Sequence, residues 1–399
     1  MAINKPMKVL FIGIEGCETF LLRLIRGLQS ESVQITLAFP TKKLPKGVDI
    51  DRIDLLWTPN WSGNLITRIL NLFFLFLKRF DFNRAKWLLQ QATKEKDFRQ
   101  KLLLINRYLP FCKGNWDIIY FAWNATAIDY SGLYDLHIPI IVSCRGSQLK
   151  VRPVVDKNKR YIEDLSRTLR HAAAVHCISK DLQRIAIKYG AREDCIKVIY
   201  PAIDPNFFKP SIKNEFNKRL IITMVGALFW LKGYEYGLIA FKDLIDAGID
   251  AELNIIGEGP EKQNLIFSAN DLKIETRVVF HGKLTSKAVR DQLQRTDIFL
   301  HSSVSEGFGN AVVEAQSCAV PVVCFDEGGL PENIKDHCTG FLVPVRDTKA
   351  MSKKLEKLAL NPLLRERMGG AGRERVFADF DLADQVEAFV SLFKTLLED

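Results

Sequence analysis

Two successive sets of short apolar runs, separated by stretches of helical spacing, restrict this chain more than any other feature. The first set lies at residues 9–13, 35–39, 118–121, 138–143 and 174–178, and the second at 220–226, 251–257, 278–282, 298–301 and 320–325. Runs this short, without apolar/polar alternation, suit strands buried on both faces. Between the first two runs, Phe20, Leu21, Leu24, Ile25 and Leu28 have the spacing of one helix face. Strand, glycine turn and helix, repeated, predict a parallel sheet covered on both sides. Two sets predict an α/β chain of two Rossmann-like, doubly wound domains, and 399 residues suffice for two cores. Pro201, Pro205 and Pro210 punctuate a polar stretch and place the hinge within 200–218. In the final segment, 381–397, the apolar stripe Val386, Phe389, Val390, Phe393 and Leu397 reads as a helix.

A hydrophobic content of 47% with 26% charged residues describes a globular protein rather than a disordered one. Residues 1–200 carry 32 Lys+Arg against 18 Asp+Glu, and 201–399 carry 24 against 29; the differences, +14 and −5, sum to the net +9. A basic first half either faces an anionic partner, such as an anionic lipid or a phosphorylated acceptor, or only keeps the protein soluble. No nucleic-acid-binding signature accompanies the charge, so no nucleic-acid partner is expected. The eight cysteines form no CxxC pair, which reads as free thiols in a reducing cytoplasm. The first apolar run breaks at Gly13, too early for a signal-peptide core. The six histidines have no metal-ligand spacing, and Asp49-Ile-Asp51 reads as a surface loop, so no metal is expected.

The stretch 300–330 holds the most specific chemistry. Glu306 sits in a turn with Gly307, Phe308, Gly309 and Asn310, whose glycines let backbone approach a ligand closely. The pattern from Ala311 onward reads as a helix, whose first unpaired N–H groups suit a phosphate or a developing anion. Glu314 follows Glu306 by eight positions, a helical rise of about 12 Å. The two carboxylates therefore address different parts of one extended ligand.

The spacing Glu306-x7-Glu314, followed by Pro321-Val-Val and Gly328-Gly-Leu-Pro-Glu332, closely resembles the group 1, family four retaining glycosyltransferases of the GT-B fold. The resemblance continues through Val225-Gly226-Ala227 and Lys232-Gly233, the segment 253–260 ending at Gly257-Glu-Gly-Pro, and the base-binding segment Val279-Phe-His-Gly282-Lys283-Leu284. Upstream it reaches His176-Cys-Ile-Ser179 and Tyr200-Pro-Ala-Ile-Asp204, covering most of 120–345. It implies two Rossmann-like domains facing a cleft. The acceptor-side domain would be residues 1–203 plus the C-terminal helix 381–399, and the donor-binding domain 204–380. It also implies that Glu306 contacts the donor sugar, Glu314 the ribose, and Gly226, Gly257, Gly282 and the 307–310 loop the rest of a UDP- or GDP-type sugar, with no cofactor. Glu332 reads either as part of this motif or as a carboxylate at the positive end of the next helix.

Transfer from such a donor needs a cation for the departing diphosphate. Lys232, in the family's Lys-Gly motif, is the candidate. The family's usual arginine after the strand glycine is Ala227 here, and Arg145, in Ser143-Cys-Arg-Gly146, is the nominated replacement, either on the donor or as a structural ion-pair partner. Gly13 and Gly16 form a sparse version of the family's first glycine loop. The leading reading is a retaining, metal-independent transferase that moves a sugar to a glycan or lipid-linked acceptor in cell-surface polysaccharide or glycolipid synthesis. The alternatives are a sugar-nucleotide epimerase or hydrolase, or a sugar-nucleotide-binding protein without catalysis. The run 69–77 is too short to span a bilayer, which needs about 20 residues. Flanked by Arg68, Lys78 and Arg79, it is either an interfacial helix, placing residues 65–99 on the anionic cytoplasmic face of a membrane, or a buried helix with a basic outer surface.

Overall fold

Among the described residues thirteen strands lie in two parallel sheets, and ten of them, all but Ile53–Trp57, Ile196–Val198 and Gly340–Val343, coincide with the apolar runs. The computed structural model describes residues 6–13, 19–29, 31–39, 53–58, 82–94, 96–155, 159–211 and 219–398. In the first sheet β1 (Met7–Ile12), β2 (Val33–Phe39), β3 (Ile53–Trp57), β4 (Ile118–Phe121), β5 (Ile140–Cys144), β6 (Ala174–Cys177) and β7 (Ile196–Val198) lie in the order β3-β2-β1-β4-β5-β6-β7. In the second, β8 (Leu220–Val225), β9 (Ala251–Ile256), β10 (Val278–Gly282), β11 (Ile298–His301), β12 (Val322–Phe325) and β13 (Gly340–Val343) follow β10-β9-β8-β11-β12-β13. Among the described residues every strand pairing is parallel. Central strands such as β4, β11 and β12 are buried at every residue, as helices on both faces require.

The chain forms two compact units. Unit 1 comprises Met1–Cys177, Ile185–Ile199 and Val386–Asp399, and unit 2 comprises Ile178–Arg184 and Tyr200–Gln385. In unit 1 the helix Thr19–Gln29 buries Leu21, Leu24, Ile25 and Leu28, the face read from the sequence. The helix Leu382–Glu398 buries Val386, Phe389, Val390 and Phe393, while Leu397 stays 42% exposed, so the stripe ends one turn short of the sequence reading. Phe389 is fully buried, with its ring centroid 5.8 Å from Tyr120 and 4.9 Å from His176. Gly27 makes this packing feasible, since a Cβ there would collide with Val386. The unit 2 core joins strand residues such as Ile222, Leu253, Ile298 and Val323 to helix residues such as Phe241 and Leu355.

Each sheet reverses its strand order once, between β1 and β4 in unit 1 and between β8 and β11 in unit 2. Connections on either side of such a point leave in opposite directions, so a crevice opens at the carboxyl ends of the two strands. Phe389→Ala should lower unfolding free energy by about 3–5 kcal/mol, the usual loss for emptying a buried aromatic site. Denaturant titration checks this; a loss under about 1 kcal/mol would show that the C-terminal helix is not part of the unit 1 core.

Candidate functional site

At the reversal point of unit 2, the connection after β8 carries Lys232 and the connection after β11 carries Glu306. Their side chains meet, Lys232 Nζ to Glu306 Oε2 at 2.5 Å. The backbone holds them there. Val304 N–H donates to Leu231 carbonyl, and Ser302 Oγ donates to the Gly233 carbonyl at 2.7 Å. Gly233 has φ +54°, and a Cβ there would strike the Ser302 carbonyl oxygen, which explains a glycine after the lysine.

Glu306 is only 11% exposed. Ser303 Oγ donates to Oε2 at 3.2 Å, and Gly307 N–H donates to Oε1 at 3.2 Å. His301 Nε2 lies 3.0 Å from Oε2 and must carry the proton, since an ionised carboxylate only accepts. Burial opposes ionisation of Glu306, but the Lys232 charge and the His301 hydrogen bond outweigh it and hold the carboxyl well below its usual range. Burial, helped by the nearby Lys232 charge, pushes His301 down against the pull of Glu306, so the imidazole is neutral. His301 and Ser303 are members of this cluster that the motif reading missed; a polar residue closing the apolar run 298–301 was the only signal.

The helix Asn310–Ser317 starts at Gly309, whose φ of +94° few other residues adopt. Asn310 and Glu314 share its less buried face, with Val312, Val313, Ala315 and Gln316 packed inward. Behind the turn lies Asn333, fully buried in the helix Leu330–Asn333, whose Nδ2 donates to the Phe308 carbonyl and, at 3.4 Å, to that of Gly309. Gln316 Nε2 donates to the Asn333 carbonyl at 3.1 Å. Phe308 is 1% exposed and stacks on Tyr200, ring centroids 5.5 Å apart. Asn333 therefore fixes the Glu306 turn from behind, a role that nothing in its neighbourhood of sequence announced.

The glycines after β8 and β9 and at the end of β10 stand side by side. Gly226 N–H donates to the Ile256 carbonyl and Gly257 N–H to that of Gly282, and a Cβ on Gly257 would run into the Gly226 carbonyl oxygen. Tyr234 hydroxyl donates to the same Gly226 oxygen at 2.9 Å. Gly282 has φ +70°, with Glu258 Oε1 2.8 Å from where its Cβ would be. Lys283 is exposed, Leu284 is half-buried, and Ala227 is exposed at the strand end. Glu332 does more than face its own helix: its carboxylate accepts from the Lys180 N–H at 2.8 Å and the Asp181 N–H at 3.0 Å, capping the helix Lys180–Lys188.

In unit 1, Gly13 follows β1 with φ +89°, close against Trp123 and Thr126, which follow β4; Gly16 and Asp49 to Asp51 lie outside the described residues. Arg145, at the end of β5, is 6% exposed. Its guanidinium carbon sits 4.3 Å from the Phe20 ring centroid and 5.5 Å from that of Trp123, and its Nε donates to the Ala122 carbonyl at 3.0 Å. Arg145 is thus packed within its own unit, its guanidinium against two aromatic faces. Nearby, His176 is buried; Nε2 donates to the Ile199 carbonyl at 3.0 Å and Nδ1 accepts from Tyr120 and Ser143. Burial, reinforced by Arg145, pushes it down to about 3. The run 69–77 lies outside the described residues, and among those described no helix is long and apolar enough to cross a membrane.

Two family models match this chain in succession, Glycosyltransferase Family 4 over residues 14–207 and Glycosyl transferases group 1 over residues 206–375. The chain belongs to the group 1 glycosyltransferases, and its two parallel α/β units are those of the GT-B fold. N-acetyl-alpha-D-glucosaminyl L-malate synthase of Bacillus anthracis is 33% identical over 211 residues, 51% of this chain and 55% of that protein. The capsular polysaccharide biosynthesis glycosyltransferase CapM of Staphylococcus aureus is 27% identical over 238 residues, 59% of this chain and 61% of its own. The matched part spans little more than half the length of these relatives. Sucrose-phosphate synthase from Thermosynechococcus elongatus superposes with a TM-score of 0.77 at 16% identity, covering 98% of this chain and 99% of that one. Anabaena HepE, solved with UDP and glucose, gives 0.73 at 16%, covering 98% and 100%. At these identities the likeness is one of fold.

The depressed Glu306 carboxyl makes stability depend on acid. A group whose folded pKa lies below its unfolded value of about 4.3 stabilises fully above that value and ceases to as pH falls toward the folded one. The denaturation midpoint should therefore drop on acidification below about pH 4.3, and Glu306→Gln should flatten that drop; parallel slopes for the two proteins would contradict the ionised assignment. Asn333→Leu should raise deuterium uptake in peptides covering 306–311 while peptides of the helix Thr348–Ala359 stay unchanged. Uptake that is unaltered around Glu306 would mean the turn holds itself.

Proposed function

We propose that this chain transfers a sugar from a nucleotide-diphosphate sugar, of UDP or GDP type, to a glycan or lipid-linked acceptor, with retention of anomeric configuration and without a metal. The observation carrying this is the part-buried Lys232–Glu306 pair beside the N-terminus of the helix Asn310–Ser317, at the reversal point of the sheet. A cation and outward backbone N–H groups at one spot stabilise a departing diphosphate, whose charge grows as the glycosidic bond stretches. Glu306, held ionised, accepts hydroxyl hydrogen bonds from the donor sugar and orients it. Glu314, on the same helix face as Asn310, takes the ribose hydroxyls. Lys232 exchanges part of its contact with Glu306 for the diphosphate as the donor enters.

The names of the relatives support a glycan or lipid acceptor: capsular polysaccharide biosynthesis for CapM, and phosphatidylinositol for the yeast GPI3 subunit, 29% identical over 184 residues. Leu89 and Phe98, 64% and 77% exposed among Lys86, Lys96 and Arg99, support peripheral contact with an anionic cytoplasmic membrane surface. Ala227, exposed where the family has an arginine, favours a second reading in which the chain binds sugar nucleotides without turnover.

Incubation with UDP- and GDP-hexoses plus a glycan and lipid extract separates these readings. Transfer to an acceptor is expected; donor loss without an acceptor product indicates an epimerase or hydrolase, and calorimetric binding without any turnover indicates a binding protein. Lys232→Ala should lower turnover at least about tenfold, more than it lowers donor affinity, since its partner charge develops in the transition state. Glu314→Ala should weaken donor binding by roughly 1.5–3 kcal/mol. Unchanged calorimetric affinity for the nucleotide sugar would remove Glu314 from the ribose.

A further inference from the structure

Unit 1 has a pocket of about 400 Å³ away from its reversal point. It is an open pocket lined by the helices Phe82–Thr93 and Phe98–Tyr108, the turn Ser131–Leu136 and the helix Lys159–His171. The last two lead into the amino ends of β5 and β6, so the pocket lies at the edge of the sheet opposite Gly13 and Arg145. Its volume is within the usual range for a small-molecule site.

The polar lining is built rather than incidental. Gln91, 2% exposed, donates through Nε2 to Asp135 Oδ2 at 2.7 Å and accepts from Lys94 Nζ at 2.9 Å. Lys94 Nζ also donates to Asp135 Oδ2 at 2.8 Å. Gly132 locks the turn, because a Cβ there would collide with Gln91 Oε1 and the Tyr108 ring; its N–H donates to the Tyr108 hydroxyl at 2.9 Å. Tyr134 hydroxyl donates to the Thr168 carbonyl at 3.1 Å. Burial opposes ionisation of Asp135, but the bonds from Lys94 and Gln91 prevail and hold its carboxyl below its usual range.

The lining leaves unused capacity of both kinds. Asp135 has a second carboxylate oxygen, and Lys94 has a third proton. A ligand hydroxyl placed between them donates to one and accepts from the other, which is what every hydroxyl of a sugar ring can do. Anions fit badly: the Asp135 carboxylate repels them, and the other cation of the lining, Arg167, is paired with Asp164 at 3.4 Å. Leu104 and Tyr134, both partly exposed, supply the apolar wall against which the C–H face of a pyranose packs, with the buried Tyr108 behind them. We propose that this pocket binds a neutral saccharide unit, gripped by Asp135 and Lys94 and packed on Leu104 and Tyr134. In a transferase acting on a glycan, it would hold a sugar residue of the acceptor or product apart from the reacting one; the binding itself stands whether or not that reading of the activity holds.

The test uses the full chain with glucose, galactose, N-acetylglucosamine and maltose as probes, in saturation-transfer NMR and calorimetry. Asp135 and Lys94 are both about half exposed, at 49% and 55%, so Asp135→Leu and Lys94→Leu should fold, with UDP binding and melting temperature as controls. The expected result is millimolar binding of at least one probe, weakened tenfold or more by each variant and untouched by Glu314→Ala. Three results overturn it: no probe binds, binding is lost in Glu314→Ala but kept in Asp135→Leu, or inorganic phosphate displaces the sugar through Asp135 and Lys94. If saccharide binding holds while no donor is ever turned over, the pocket stands and the transferase reading falls.

Discussion

A carboxylate cannot be buried unless a cation and hydrogen bonds replace its water, and the Glu306 turn is organised around that requirement. Lys232 provides the charge; His301, Ser303 and the Gly307 N–H provide the hydrogen bonds. The pair forms only because β8 and β11, which are far apart in sequence, are neighbours at the point where strand order reverses. Any ligand with its own negative charge would compete with Glu306 for Lys232.

The rest of unit 2 around the site serves to keep this arrangement in register. Ser302 and Gly233 fasten the lysine's turn to the end of β11. Asn333 ties down the carbonyls of Phe308 and Gly309, and Gln316 ties down Asn333. In the helix Asn310–Ser317 the Val312 N–H donates to the Gly309 carbonyl, and helix geometry leaves the N–H groups before it without an intrahelical partner, suited to an anion. Glu332, one residue earlier, is committed to the backbone of Lys180 and Asp181.

Unit 1 uses its reversal point differently. Gly13, Phe20, Trp123 and Arg145 gather at the ends of β1, β4 and β5, but aromatic faces cover the guanidinium. Beneath it, His176 is kept neutral by burial and by the same arginine, and it joins β4, β5 and β6 to the segment at Ile199. The position of Arg145 at a strand end fits a reading of the motif, whereas its burial follows from neighbours contributed by other elements.

Ten of the thirteen described strands, their parallel sense and the two-unit α/β organisation were legible in the sequence, because short apolar runs alternating with helical spacing are local patterns that admit few topologies; the peripheral strands β3, β7 and β13 were not read. The same holds for the Glu306 turn and the start of its helix at Gly309, since glycine spacing reports backbone conformation directly. Tertiary structure alone decided which distant side chains meet: His301 and Ser303 on Glu306, Asn333 behind the Phe308 carbonyl, Glu332 on the helix Lys180–Lys188, and Gln91 with Lys94 and Asp135 around a second pocket. Periodicity records which face of an element is buried, but a polar side chain's partner depends on strand order, crossover direction and the exact depth of each turn, none of which a one-dimensional pattern encodes.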